Sequence, residues 1–283
     1  SVSLSANWMW PCKNPGEDAR LYKAVEACSR FACELGINIP TGKDSLSMTQ
    51  KYGDEKVYSP GTVIISAGAE VSDVKKVVSP VLVRDARTAV YYIDFSFDAL
   101  SLGGSAFAQS LGKVGCQAPT VQDSEYFASA FNAIQQLISE GLILAGHDIS
   151  AGGMITALLE MNFANTEGGL EVKLDKLPEK DLIKILFSEN PGVLIQVKDR
   201  KAVEKILEEA GVGYAVVGHP CSERHILVSK DGAEYLFGID HLRDVWFSSS
   251  YLLDRKQSGE AQAKARFLNY KEQPLHYHFG KSF

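Results

Sequence analysis

Apolar positions along the chain switch between a spacing of two and a spacing of three to four, so strands and helices are expected to alternate. Val2 to Leu4 opens as a short strand. Asn14-Pro15-Gly16-Glu17-Asp18 then turns into a helix whose inward face is Leu21, Val25, Cys28, Ala32 and Leu35, with Gly36 as its stop. Ile37-Asn38-Ile39 runs into a polar loop, Pro40 to Ser45. Leu46 and Met48 begin a hairpin through Tyr52-Gly53-Asp54, and Gly61 to Ala69 reads as a mostly buried strand. The pattern restarts after Ser79-Pro80-Val81-Leu82-Val83. Ala89 to Phe95 is a strand, Leu102-Gly103-Gly104-Ser105 leads into a helix ending about Leu111, and Ser124 to Glu140 is an amphipathic helix with Phe127, Phe131, Ile134, Leu137 and Ile138 inward. A strand from Leu142 to Ala145, a helix from Gly153 to Phe163 and a short helix from Leu182 to Phe187 follow. Gly192 to Val197 reads as a strand, Arg200 to Ala210 as a helix, Tyr214 to Gly218 and Ile226 to Val228 as strands, and Gly238 to Tyr251 as a helix. This order predicts a layered α+β or α/β fold. It divides into a sheet-forming segment over 1–83, an α/β domain over 84–254 and an extended polar arm over 255–283.

Composition narrows the function classes. The chain has 283 residues, 45% hydrophobic and 23% charged, which is ordinary for a globular protein with a real core. A net charge of −6 offers no basic face for nucleic acid or an anionic membrane surface. No apolar run approaches the roughly 18 residues that span a bilayer, and Ser1 to Asn7 lacks the basic start and apolar centre of a signal peptide. The five cysteines are irregularly spaced with no C-x-x-C pair, which argues against zinc and for a reducing, cytoplasmic setting, with Cys28 and Cys33 as buried thiols.

The densest candidate chemistry is Gly146-His147-Asp148-Ile149-Ser150-Ala151-Gly152-Gly153, a polar turn between a strand and a helix. A helix N-terminus suits phosphate, and a carboxylate beside phosphate calls for a bridging Mg²⁺. The spacing leaves two readings open: a Mg-nucleotide site on Asp148, or a plain strand–helix connection capped by Asp148 or Ser150. The frequency of short Gly-rich motifs favours the second. Gly42-Lys43-Asp44-Ser45 places a lysine, a carboxylate and a hydroxyl in a turn, as a phosphate loop or an Asx-type turn. Ser188-Glu189-Asn190-Pro191 stands at a strand mouth, where Glu189 either orients a substrate group or caps a helix. Trp8 and Trp10 share a strand face and read as packing residues, as does His276-Tyr277-His278 on the tail. His147 and Asp148 are adjacent and no G-x-S-x-G is present, so a covalent hydrolase is disfavoured.

Taken in order, Leu4-Ser5-Ala6-Asn7-Trp8-Met9, Gly16-Glu17-Asp18-Ala19, Gly42 to Met48, Ser59 to Ala67, His147 to Gly153 and Glu160-Met161-Asn162-Phe163-Ala164 resemble the large, single-chain phosphoribosylformylglycinamidine synthases, nearly to the end of the chain. The resemblance implies an aminoimidazole ribonucleotide synthetase-like fold: part of the sheet-forming half of the second of two tandem copies, then its complete C-terminal α/β half. It implies an ATP-dependent ligase of de novo purine biosynthesis. Formylglycinamide ribonucleotide is activated as an iminophosphate, and ammonia from a glutamine amidotransferase domain displaces the phosphate. The first synthetase copy and the glutaminase domain are implied partners outside this sequence, residues 255–283 a linker toward the latter, and the piece alone is expected to be inactive.

Residue by residue, the resemblance makes Asp148 a Mg²⁺ ligand and Ser150 a contact to ATP or ADP. It places Gly103, Gly104 and Ser105 beside the nucleotide, and Gly42, Lys43, Asp44, Ser45 and Glu189 along a substrate or phosphate cleft. Asn190-Pro191 departs from the Ser-Gln of relatives. Because the two copies have diverged in this family, the Asp148 site is either part of turnover or a structural ADP–Mg²⁺ site. A selenophosphate or thiamine-phosphate kinase type of relative is disfavoured by the Asn-Trp-Met and Pro-Gly-Glu-Asp motifs.

Overall fold

The computed structural model describes residues 2–269 and residue 272. The chain forms two compact units, Ser1–Lys75 and Lys76–Phe283.

In the first unit, β1 (Val2–Met9), α1 (Glu17–Glu34) and β2 (Asn38–Ser45) form a β-α-β unit with β1 and β2 parallel. The hairpin β3 (Thr49–Tyr52) and β4 (Glu55–Tyr58) follows. Then β5 (Thr62–Ala69) pairs antiparallel with β1, giving a sheet of order β2-β1-β5. Four expectations are corrected here. The stretch Gly42-Lys43-Asp44-Ser45 is the end of β2 and not a turn. Its backbone pairs with Ala6, Asn7, Trp8 and Met9 of β1, and those ladder bonds outweigh its turn-like composition. Gly42 is demanded by closeness, since a Cβ there would lie 2.3 Å from the Ala6 carbonyl oxygen. The β5 strand is exposed along most of its length, including Val63, Ile64 and Ile65, because a three-stranded sheet with one helix cannot cover both its faces. On α1, Val25 and Cys33 are exposed, and Ala32 is the buried residue of the helix.

The second unit is built on a seven-stranded sheet. Its elements are β6 (Ala89–Asp94), α2 (Ala106–Ser110), α3 (Ser124–Ser139), β7 (Ile143–Asp148), α4 (Gly153–Phe163), β8 (Gly169–Lys173), α5 (Leu182–Phe187), β9 (Gly192–Val197), α6 (Arg200–Glu209), β10 (Ala215–Cys221), β11 (His225–Lys230), β12 (Ala233–Gly238), α7 (Ile239–Ser258) and α8 (Glu260–Leu268). The strand order is β12-β11-β8-β10-β6-β9-β7, with only β8 and β11 parallel among neighbours. Successive side chains on a strand face opposite ways, so β6 sends Val90 into one core and Ala89, Tyr91 and Ile93 into the other. The first core holds Met154, Ile155, Leu158 and Met161 of α4 with Ile185 and Leu186 of α5. The second holds Ala130, Ala133, Ile134 and Leu137 of α3 with Val203 and Leu207 of α6. Helices therefore cover both faces of the sheet, the layered architecture expected from the alternation of elements.

Three details differ from expectation. Phe131 of α3 is exposed. The strands β8 and β12, not anticipated, are formed by pairing with β10 and β11. The arm expected from 255 onward is helical to Leu268, through the end of α7 and all of α8, tied by Arg266 to Asp254. The pair His276 and His278 lies outside the described residues.

Candidate nucleotide site

The site is built at the C-terminal end of β7. That strand is central in sequence but lies at the sheet edge, paired with β9 alone among the described strands. Asp148 ends the strand, with its carboxylate exposed; Ile149 is buried and Ser150 exposed, so the two polar side chains alternate around an apolar anchor. The Ile149 N–H donates to Gly192 O at 2.8 Å, which pins this turn to the start of β9. Helix α4 begins immediately after, with Gly152 as its N-cap and no side-chain cap. Neither Asp148 nor Ser150 therefore caps the helix, and the plain connection loses the role it assigned them. Asp148 lies 3.5 Å from His147 Nδ1, while His147 Nε2 turns inward to Glu160 at 3.2 Å.

Gly152 and Gly153 both have left-handed φ angles, +90° and +73°. Paired glycines at a strand–helix turn leave room for a ligand to approach the backbone. The close approach is in fact made by the chain itself: a Cβ at Gly153 would lie 2.6 Å from Leu186 O and 2.8 Å from the Phe187 backbone at the end of α5. A Cβ at Gly152 would lie 2.3 Å from Thr156 Oγ1.

Three of the segments singled out in the sequence converge. Glu189, between α5 and β9, places Oε1 2.8 Å from the Gly152 N–H and 2.8 Å from the Ala106 N–H, the latter at the first residue of α2. The Gly103-Gly104-Ser105 loop is thus tied to the Asp148–Gly153 loop by one carboxylate. Gly103 is buried and donates to Gln117 O at 2.8 Å, whereas Gly104 is exposed. Ser105 is 1% exposed, and its hydroxyl accepts from Ala108 N–H as the α2 cap and donates to Leu102 O. With both its donor and an acceptor position engaged inside the chain, its hydroxyl is a structural cap. Asn190 is also buried: its amide donates to Ser96 Oγ and Ala99 O, and its carbonyl accepts from Ser101 N–H. A cavity of about 330 Å³ opens beside these loops, lined by Gly103, Gly104, Thr120 and Glu189 among others.

Gly42, Lys43, Asp44 and Ser45 belong to the first unit. Lys43 and Asp44 are exposed there, with the Lys43 ammonium donating to Asp44 O and Ser45 Oγ. Among the described residues no group of three or more His, Cys, Asp or Glu side chains gathers as a metal cage. No helix among the described residues is long and apolar enough to cross a membrane.

The sequence reading missed a larger cavity of about 500 Å³ in the second unit, lined by Tyr92, Asp94, Asp98, Tyr126, Lys176 and Lys180 among others. Burial, reinforced by the Asp94 carboxylate, pushes the Tyr92 hydroxyl well above its usual range. No motif marks this cavity, because its lining comes from five separated segments of the chain.

Residues 1–70 match the FGAR-AT PurM_N-like domain, and residues 94–229 match the AIR synthase related protein, C-terminal domain. Phosphoribosylformylglycinamidine synthase of Homo sapiens is 36% identical over 289 residues, covering 100% of this chain. The chain belongs to the phosphoribosylformylglycinamidine synthase family. It spans 21% of the human relative's length and is thus a segment of the family's much longer chains. Two solved structures share the synthase fold. Thermotoga maritima PurL complexed with FGAR has a TM-score of 0.62 at 18% identity, covering 85% of this chain and 39% of that one. The same protein complexed with ATP has a TM-score of 0.60 at 16% identity, covering 85% and 37%. The synthase resemblance read from the ordered motifs is thereby borne out, as is the layered α/β fold, whose larger sheet has seven strands.

Proposed function

We propose that this chain is part of an ATP-dependent ligase that converts formylglycinamide ribonucleotide and glutamine to the amidine in purine biosynthesis, in the cytoplasm. Within it, the Asp148–Gly153 turn holds the cation and phosphates of a bound nucleotide. The observation that carries the site is the pair Asp148 and Ser150: both are exposed, flank a buried anchor, and take no part in capping α4. Mg²⁺ typically keeps several waters and takes one or two protein carboxylates plus nucleotide phosphates, so a single aspartate without a cage fits it. Asp148 would hold the ion, which neutralises phosphate charge when bound, and Ser150 would contact the nucleotide. Gly103 and Gly104 are assigned beside the nucleotide, and Lys43, Asp44 and Ser45 to the substrate cleft, on the family resemblance. The first synthetase copy and the glutaminase domain are the partners implied by the family resemblance, and the greater length of the relatives leaves room for them.

A second reading makes this a structural ADP–Mg²⁺ site. A ligand bound only to the folded state stabilises the fold without turnover. Isothermal titration of Mg²⁺–ADP into this chain tests the site: binding that disappears in Asp148→Ala supports it, and binding that survives the substitution refutes it. In a full-length synthase the same substitution separates the two readings. Loss of turnover indicates a catalytic site; a lowered melting temperature with turnover retained indicates a structural one.

A further inference from the structure

The geometry points to Glu189 as a positioning residue that fastens the two glycine-rich loops into one rigid mouth through a single carboxylate oxygen, Oε1. The first turn of a helix leaves backbone N–H groups without partners. Two such groups, from Ala106 opening α2 and from Gly152 at the N-cap of α4, both donate to Glu189 Oε1 at 2.8 Å. A carboxylate in that place makes charge-assisted bonds to donors that carry helix-terminus partial charge. From inside the protein it satisfies the Ala106 and Gly152 donors, one from each loop.

The post on which this carboxylate stands is itself fixed. On one side the Ser188 N–H donates to Lys184 O, closing α5, and Ser188 is 4% exposed. On the other, Asn190 is held by Ser96, Ala99 and Ser101, and Pro191 O accepts from Phe95 N–H at 2.9 Å. One residue further, Gly192 O receives the Ile149 N–H. Residues 188–192 therefore reference three loops to one short segment: 96–101 through Asn190, 102–106 through Glu189, and 149–152 through Gly192 and Glu189. A displacement of either glycine-rich loop breaks a bond to the same oxygen, so the two are mechanically linked.

The link to ligand rests on the assignment of the Asp148–Gly153 turn to nucleotide. The test combines amide hydrogen exchange with Mg²⁺–ADP titration on the whole 283-residue chain. In Glu189→Ala, exchange is expected to accelerate on the order of tenfold or more in both 103–109 and 150–155, with β6 and β9 unchanged. Glu189→Asp, one methylene short of both donors, should behave like Ala; Glu189→Gln, which keeps a side-chain oxygen at the same reach, should restore most of the protection. Mg²⁺–ADP affinity should fall with Ala and Asp and recover with Gln. Loosening of only one loop, an unaltered exchange pattern, or a Gln variant that behaves like Ala overturns the positioning role. So does an Ala variant with loosened loops but unaltered nucleotide affinity. If Glu189→Ala does not fold, Ser105→Gly serves instead: weakening the α2 cap should speed exchange at Gly152 in the chain with Glu189, and no change there overturns the link. If the unsubstituted chain binds no Mg²⁺–ADP, the nucleotide assignment fails, while the exchange patterns still decide whether Glu189 joins the loops.

Discussion

Gly153→Ala measures how firmly the Asp148 turn is seated on α5. The residue has φ +73°, where an L-side chain costs roughly 1–2 kcal/mol. The added Cβ would also sit 2.6 Å from Leu186 O and 2.8 Å from the Phe187 backbone. Those are main-chain atoms that cannot rotate aside, so relief requires α4 and α5 to separate, at about 1–3 kcal/mol more. Gly141 supplies the control, because its φ is +70° yet nothing lies within 4 Å of its Cβ position. Gly141→Ala should therefore cost only the roughly 1–2 kcal/mol backbone part. Urea unfolding followed by far-ultraviolet circular dichroism gives both values at unchanged slope. Gly153→Ala should exceed Gly141→Ala by about 1–3 kcal/mol, or about 2–12 °C in melting temperature for a domain of this size. Equal costs for the two alanines would refute the claim that Gly153 exists for close packing against α5.

Two further predictions follow from the second unit. Burial, together with the bond to Glu204, pushes the Tyr91 hydroxyl up to about 12 from an ordinary value of 10.0. A raised value in the folded state means that its stabilisation is complete below pH 10 and is lost as pH climbs from 10 toward 12. Tyr91→Phe should flatten the fall of the urea midpoint across that window, and parallel curves for the two proteins would contradict the assignment. Asp123 caps α3 by accepting from the Glu125 and Tyr126 N–H groups at 2.9 and 3.0 Å. Asp123→Ala should cost about 1 kcal/mol and Asp123→Asn much less, as read by denaturant titration; an Ala variant as stable as the parent would count against the cap.

The sequence by itself determined the family, the layered fold class and the placement of most helices and strands. It did so because periodicity reports which side of an element meets a core, as in β6 and α4, and because ordered motifs survive where single spacings are ambiguous. It also located the polar turn at Asp148. The third dimension decided what the surrounding residues do. Gly42 looked like a turn residue and is a strand residue pressed against Ala6. Ser105, placed beside the nucleotide by resemblance, is the buried cap of α2. Glu189, which lines the cavity, is also the acceptor shared by two loops far apart in sequence. Residues 255–268 looked like an arm and are helical. In each case a local pattern states which bonds a residue is able to make. Only the folded chain brings the partner within 3 Å, and the partner determines whether a hydroxyl, a carboxylate or a missing Cβ serves a ligand or the protein itself.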